Sequence, residues 1–153
     1  MTEDDKKRFR SLADEFNLSG EDFWKSPQGF VIISRRGIEK IQNGLQAEVT
    51  YEVVPEFSDM AESKYVVKAF GSCRDRELTT SLRLDEISGK EKLTAYTKVR
   101  RIETFGESSP KNTRGGAQAY PVAMAEKRAL SRCILKLSDF YTLNVFGEDE
   151  ITD

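Results

Sequence analysis

Between residues 47 and 100 the chain repeatedly alternates apolar and polar side chains, and this pattern limits the possible folds more than any other feature. Alternation with a period of two places every second side chain on one face of a β-strand. It occurs in four stretches, around residues 47–53, 65–69, 78–84 and 93–100. Pro55 follows the first stretch, and Ser88-Gly89-Lys90 predicts a turn between the last two. We therefore predict a twisted antiparallel sheet in which short turns join successive strands.

Helices and one further strand are predicted before this sheet. Residues 2–16 predict a short amphipathic helix with its apolar side chains at helical spacing: Phe9, Leu12, Ala13 and Phe16. Residues 19–24 resemble a helix start, because two acidic residues follow a serine, and predict a brief second helix. The apolar run 29–34 predicts a buried strand, and another helix is expected to follow it as far as Leu45.

A long helix is predicted from about Ala119 to Leu137. Strong helix formers dominate this segment, and Pro121 suits its first turn. Residues 104–118, which precede it, are rich in Gly, Ser and Pro and predict a mobile loop. On a helical wheel one broad apolar arc is expected to face the core: Val122, Ala123, Ala129, Leu130, Cys133, Ile134 and Leu137.

Together these elements predict an α+β fold. A twisted antiparallel sheet of four to five strands would pack against the long C-terminal helix and a shorter helix. The length of 153 residues suits one compact domain. We expect an N-terminal helical segment over residues 1–28, a core domain over 29–147 and an acidic tail over 148–153.

Composition limits the chemistry that the chain can carry out. Histidine is absent, which removes the commonest general base and zinc ligand, and no Asp/Glu spacing is typical of a metal-dependent enzyme. We therefore predict a protein that is not an enzyme, with no catalytic residues, no cofactor and no metal. Cys73 and Cys133 predict buried reduced thiols, and neither a membrane span nor a secretory signal is predicted, so the cytoplasm is the expected location.

Charge is strongly segregated along a chain whose formal net charge is only −2. Residues 92–136 carry ten basic and three acidic side chains, a formal charge of +7. The first 22 residues carry −3, and the residues after Lys136 carry −5. A basic surface of this kind favours an anionic partner such as nucleic acid, although a solvated face is the alternative.

The predicted long helix carries a stripe of cations within this basic region. Arg128, Arg132 and Lys136 are four residues apart and share a ridge about 12 Å long, while Lys127 lies on the opposite flank. Like charges at this spacing repel each other, so the ridge favours an anion or carboxylates from another element. A solvated helix edge would leave the same pattern.

Other cations extend the predicted contact surface. Together with the helix, they give eleven candidate DNA-binding residues: Arg35, Arg36, Lys98, Arg100, Arg101, Lys111, Arg114, Lys127, Arg128, Arg132 and Lys136. Such side chains would contact phosphates and need no base recognition. Tyr96 is expected on the same strand face as Lys98 and Arg100, which makes it a candidate for base stacking.

The chain resembles the single-strand annealing superfamily, which includes the Rad-fifty-two recombination protein and the phage proteins Sak, Erf and Redβ. The resemblance is strongest at Met124-Ala-Glu-Lys-Arg-Ala-Leu-Ser-Arg132, where Lys127-Arg128-Ala129-Leu130 matches a family segment. It extends to five shorter segments: Ile33–Ile38, Glu103–Ser109, Tyr120–Ala125, Ile134–Leu137 and Val145–Asp149. In this family arginine usually follows the matching segment directly, whereas here Ser131 stands there and Arg132 comes next.

The resemblance implies a β-β-β-α core that assembles into rings or helical filaments and holds single-stranded DNA in a basic groove. It implies that Lys127 and Arg128 contact phosphates, with Arg36 beside them. The shift of about 100° at Arg132 would turn that side chain toward a neighbouring subunit or the apolar edge. A single-strand-binding protein or an exonuclease would be a further partner.

Three functional hypotheses follow from the sequence. The first is a phage-type protein that binds single-stranded DNA and anneals complementary strands in recombination or repair. The second is an adaptor or inhibitor that binds a host protein through the acidic tail or the loop 108–116. The third is a metal-dependent nuclease, which would require a cluster of carboxylates in space.

Overall fold

The computed structural model describes residues 1–151, so Thr152 and Asp153 of the predicted acidic tail lie outside the described residues. The helices are α1 (Glu3–Glu15), α2 (Arg35–Leu45) and α3 (Pro121–Leu137). The strands are β1 (Phe23–Lys25), β2 (Val31–Ile33), β3 (Glu48–Val53), β4 (Tyr65–Arg74), β5 (Thr79–Leu84), β6 (Glu91–Tyr96), β7 (Val99–Ser108) and β8 (Val145–Gly147). Short 3₁₀ helices cover residues 55–57, 115–119, 140–143 and 148–150.

The central sheet is antiparallel, with β4 between β3 and β7. Its registers include Val53 opposite Val67 and Lys68 opposite Phe105. β5 and β6 form a separate hairpin, inserted between β4 and β7, and a small sheet has the order β1-β2-β8 with β2 and β8 parallel. The predicted α+β class with antiparallel strands and a long C-terminal helix is confirmed. The predicted connection is wrong, because β4 pairs with β7 and not with the strand that follows it.

Helix α3 packs closely on one face of the central sheet, and two glycines make that approach possible. A Cβ atom on Gly106 would lie 2.0 Å from the Ala125 carbonyl oxygen, and one on Gly71 would lie 2.1 Å from the Cys133 sulfur. Ala129 and Cys133 of α3 are fully buried there. Because the helix backbone almost touches the sheet, the position of each α3 side chain relative to β7 is tightly defined.

Other parts of α3 are covered by α2, by β8 and by the 3₁₀ helix 140–143, on which α1 packs. Phe9 of α1 and Phe16, which caps the end of that helix, pack against the fully buried Phe140, with ring centroids 5.5 and 6.2 Å away. Thr2 and Asp5 form a capping box at the start of α1, which satisfies backbone N–H groups that the helix leaves unpaired. The N-terminal helix therefore belongs to the same apolar core as α3.

Three local predictions are wrong. Residues 19–24 form a turn that leads into β1, with no helix. The predicted loop over 104–118 begins too early, since β7 continues to Ser108. The predicted fourth strand is interrupted, because β6 ends at Tyr96 and β7 begins at Val99.

The predicted apolar arc of α3 is also partly wrong. Val122 and Ala123 are exposed, whereas Arg128 and Ser131 are buried. Gly147 of β8 approaches Ser131 so closely that a Cβ there would lie 2.6 Å from the Ser131 Cβ. Contact with β8 therefore turns a polar position toward the interior. No helix within residues 1–151 is long and apolar enough to cross a bilayer.

Candidate nucleic-acid interface

Arg128 lies at the centre of the predicted site, but it is 4% exposed. Its guanidinium donates to the carbonyl oxygens of Asp149 (2.6 Å), Glu107 (2.7 Å) and Asn112 (2.6 Å), and to the Asn112 side-chain oxygen (2.9 Å). Burial, together with the nearby Arg132, lowers the pKa of Arg128. The side chain therefore fastens the loop after β7 and the segment after β8 to α3.

Arg132 continues this pattern one helical turn later. It donates to the Phe105 carbonyl oxygen at 2.7 Å and to the Glu150 carboxylate at 2.8 Å. Four residues of helix rise about 6 Å, close to the roughly 6.7 Å that two residues of strand advance. Arginines four apart on α3 thus meet alternate carbonyls of β7, at Glu107 and Phe105. They satisfy an edge strand that would otherwise offer these groups to another chain.

Arg36 and Arg35 are also held by acceptors within the chain. Arg36 donates to the Asp22 and Glu21 carboxylates at 2.7 and 3.0 Å, and Lys40 donates to Asp22 at 2.6 Å. Asp22 is fully buried, and burial alone would raise its pKa, but hydrogen bonds from Lys40, Ser19 and Arg36 lower it well below the usual value. Arg35 pairs with Glu39 at 3.3 Å.

Arg100 is turned toward the core side of the sheet. It donates to the Leu137 carbonyl oxygen at 2.8 Å and to Asp139 at 3.1 Å, so it closes the C-terminal end of α3, where a cation is electrostatically favoured. The sequence predicts that Tyr96 shares a strand face with Lys98 and Arg100. This prediction is wrong, because β6 ends at Tyr96 and a separate strand, β7, begins at Val99. The ring of Tyr96 lies under the Arg83 guanidinium, at 5.7 Å.

The remaining predicted cations form no ion pair with any other residue in the range 1–151: Lys98, Arg101, Lys111, Arg114, Lys127 and Lys136. Lys111 and Arg114 flank Asn112, which Arg128 binds, and Lys127 directly precedes Arg128 on α3, so the backbone of all three residues lies near this one contact. We call these three residues the loop cation cluster. Lys98 and Arg101, near the start of β7, and Lys136, near the end of α3, are not part of it.

The surroundings of the loop cation cluster are mixed in charge. Arg114 lines a hollow of about 240 Å³ together with Met124, Arg128, Glu148 and Asp149. The first turn of α3 contains no acidic residue and no side chain caps it. The N-terminal end of a helix carries a partial positive charge, which adds to that of the cluster.

Aromatic residues near Lys136 were not among the predicted site residues. Phe105, Tyr141 and Phe146 line a second hollow, of about 420 Å³, with Arg132 and Lys136. The alternation of exposed and buried residues along β7 contains the signal for Phe105, but the Gly, Ser and Pro content of residues 104–118 predicts a loop there. Tyr141 and Phe146 give no comparable pattern in sequence.

Comparison of the chain with protein-family models, with curated proteins and with solved structures finds no match. The resemblance to the single-strand annealing superfamily therefore stays a prediction. Within the described part of the chain, no three Cys, Asp or Glu side chains come together in a way that could hold a metal ion.

Proposed function

We propose that the chain binds the phosphate backbone of single-stranded DNA at the loop cation cluster and promotes annealing of complementary strands. One observation carries the proposal: the buried Arg128 holds the loop of Lys111 and Arg114 against the helix segment that presents Lys127. A cation that has no carboxylate partner within residues 1–151 is available to a phosphate, and the loop cation cluster holds three of them.

The uncapped start of α3 supports the same ligand, because backbone N–H groups at a helix N-terminus bind phosphate oxygens. Contacts of this type recognise charge and not sequence, which suits a protein that must anneal any pair of strands. The similarity of Lys127-Arg128-Ala129-Leu130 to the annealing family agrees with this proposal. The protein would act without catalysis or cofactor, as part of a phage-type recombination system in a bacterial cytoplasm.

Self-assembly is a second part of the proposal, and the β5–β6 hairpin supports it. Leu82 and Leu84 share one face with Leu93, which lies opposite Leu82, and all three are between 65% and 70% exposed. At the other end of the ten-residue strand β4, Phe57 and Met60 are 61% and 79% exposed. Ten residues of strand span about 33 Å, so the two apolar patches cannot meet within one chain. Contact between the patches of successive copies would be head-to-tail, which generates rings or helical filaments.

The same hairpin gives the second candidate function its support. Exposed apolar side chains on a protruding hairpin suit any protein partner, so an adaptor or inhibitor would use this surface too.

Mass photometry separates self-assembly from the adaptor function. Self-assembly predicts particles many times heavier than the 17.4 kDa chain, which Leu82→Glu with Leu93→Glu reduces to monomers. Ser81→Glu with Thr94→Glu, a matched pair on the opposite face, should leave the particles intact. A wild-type monomer that does not bind DNA would favour the adaptor.

DNA binding is tested by replacing Lys111, Arg114 and Lys127 together with alanine. The control variant replaces Lys7, Lys64 and Lys90, which are exposed, form no ion pair with the residues that the structure describes and are remote from the cluster in sequence. Anisotropy of a labelled oligothymidylate should show a weaker complex for the cluster variant only. The slope of log affinity against log salt should become about 2 units shallower, since three single-strand phosphate contacts are lost.

The annealing step is measured with the same two variants. The rate at which two dye-labelled complementary strands pair should rise with wild-type and control protein, and the cluster variant should accelerate pairing much less. If the cluster variant binds and anneals like wild type, the proposed function is wrong.

A further inference from the structure

A row of aromatic and cationic side chains runs from the residue before β2 across β8 and the C-terminal end of α3 to β7. Phe30 packs edge-on against Phe146, with ring centroids 5.4 Å apart, and Phe146 lies 6.4 Å from Tyr141. The Lys136 ammonium lies 4.9 Å from the Tyr141 ring centroid. The hollow of about 420 Å³ then connects Lys136 to Phe105. We call these residues the aromatic row.

The aromatic row is exposed along much of its length. Phe30 and Phe105 are 46% and 45% exposed, and Tyr141 is 36% exposed. These large rings are not part of the buried core, whose buried aromatic residues are Phe9, Phe16 and Phe140. Rings left open to solvent in a connected row indicate a binding surface.

Charge along the row favours an anionic ligand. Glu103 is paired with Lys68 at 2.8 Å, and Glu150 with Arg132 at 2.8 Å, so both carboxylates that line the hollow are already neutralised. Lys136 has no carboxylate partner among the residues that the structure describes. Lys68 also lies 5.7 Å from the Phe105 ring. Open rings with cations between them suit the bases and phosphates of a single strand, whereas a duplex hides its base faces.

We propose that the aromatic row stacks the bases of single-stranded nucleic acid, while the loop cation cluster holds phosphates. This inference rests on the proposed function and assigns it a second contact surface. Stacking occupies the face of a base and leaves its hydrogen-bonding edge open. A strand held in this way can therefore still pair with a complementary strand, which annealing requires.

Trp24, the one tryptophan of the chain, offers a direct reporter. It lies opposite Ile32, which lies opposite Phe146, so its side chain shares a sheet face with Phe146. It is 44% exposed. Binding of an oligonucleotide to the aromatic row should therefore change Trp24 fluorescence, and an abasic oligomer should change it much less.

The decisive comparison is between an oligothymidylate and an abasic oligomer of equal length, which offers phosphates but no bases. Wild-type protein should bind the oligothymidylate more tightly. Tyr141→Ala should weaken oligothymidylate binding about fivefold or more and leave the abasic affinity unchanged, since one stacking contact is lost. Tyr141→Phe should keep the preference. Tyr96→Ala removes an equally exposed tyrosine from the hairpin and should have no effect.

The outcomes separate the two proposals. If Tyr141→Ala keeps the full preference for the oligothymidylate, or if wild type binds both oligomers equally, the aromatic row does not stack bases, although the loop cation cluster still binds phosphates. If wild type binds neither oligomer, the proposed function fails together with this inference. An equal loss from Tyr96→Ala would also overturn the assignment to the aromatic row.

Discussion

Helix α3 carries two arginines and two lysines between residues 127 and 136, and the structure uses the two kinds of side chain differently. Arg128 and Arg132 donate to backbone carbonyls of β7 and of neighbouring segments. Lys127 and Lys136 make no ion pair within residues 1–151. A planar guanidinium with five donors can satisfy several carbonyls at once, whereas an ammonium keeps its hydration more readily at the surface. The arginines of this charged segment therefore hold the fold, and the lysines are available to a ligand.

The largest effect expected from this contrast is on stability at Arg128. Arg128→Ala leaves three carbonyl groups and the Asn112 side chain without a buried donor, so the free energy of unfolding should fall by about 3 kcal/mol or more. Arg128→Lys should rescue little of it, because an ammonium cannot reproduce the geometry. Lys127→Ala should change the unfolding free energy by less than about 0.5 kcal/mol. Urea denaturation of the three variants measures these changes. Equal losses of unfolding free energy for Arg128→Ala and Lys127→Ala would contradict the different roles of arginine and lysine on α3.

Asp22 provides the next largest effect, and it depends on pH. The pKa of Asp22 is lowered in the folded protein, so its ionised form stabilises the fold above the unfolded value of about 4. That stabilisation is lost as the pH falls from there toward the lower folded pKa. Asp22→Asn should cost about 2 kcal/mol at neutral pH, and less in acid. Urea denaturation at several pH values measures it; parallel pH profiles for wild type and variant would contradict the role of Asp22.

Regular patterns in the sequence predict where helices and strands form. They do not predict which strands pair with each other or which side chains bind each other. The Ala-rich segment ending at Leu137 predicted α3 correctly, and alternation predicted most of the central strands. Alternation could not show that the chain leaves the sheet after Arg74 and returns at Val99, because a hairpin alternates in the same way as a sheet strand. The acidic residues 21 and 22 resembled a helix start, yet the Asp22 carboxylate is a buried acceptor for Arg36 and Lys40.

The candidate site was harder to predict than the fold, because it depends on contacts between segments that are distant in sequence. A helical wheel assigns charged side chains to solvent, and nothing in the sequence indicates that carbonyls of β7 lie within reach of Arg128. That contact depends on Gly106, whose missing side chain lets α3 approach the strand. The aromatic row could not be predicted from the sequence, because Phe30, Phe105 and Tyr141 are far apart in the chain and form no local pattern.

Arg132 should show an intermediate effect that sharpens the comparison. Its side chain is 32% exposed, so solvent can replace part of what it donates to Phe105 and Glu150. Arg132→Ala should therefore lower the unfolding free energy by about 1 kcal/mol, less than Arg128→Ala. Thermal unfolding followed by circular dichroism gives this ranking. A larger loss at Arg132 than at Arg128 would contradict this ranking. It would mean that the contacts of Arg132 with Phe105 and Glu150 contribute more to stability than the buried hydrogen bonds of Arg128.

The smallest expected effect is that of single lysines on DNA affinity. Lys127→Ala removes one phosphate contact, so the slope of log affinity against log salt should become shallower by about 0.7, with stability unchanged. Arg36→Ala removes a side chain already bound by Asp22 and Glu21, and should leave that slope as it is. Salt titrations of the two variants test this. A shallower slope for Arg36→Ala and an unchanged slope for Lys127→Ala would mean that DNA binds at the start of α2.

Lysine footprinting by mass spectrometry tests most directly whether the two lysines of the loop cation cluster, Lys111 and Lys127, contact DNA. Acylation of the protein with and without a saturating oligothymidylate should show protection of Lys111 and Lys127, with Lys7 and Lys64 equally reactive in both samples. Uniform reactivity with and without DNA, or protection confined to Lys7 and Lys64, would contradict the account.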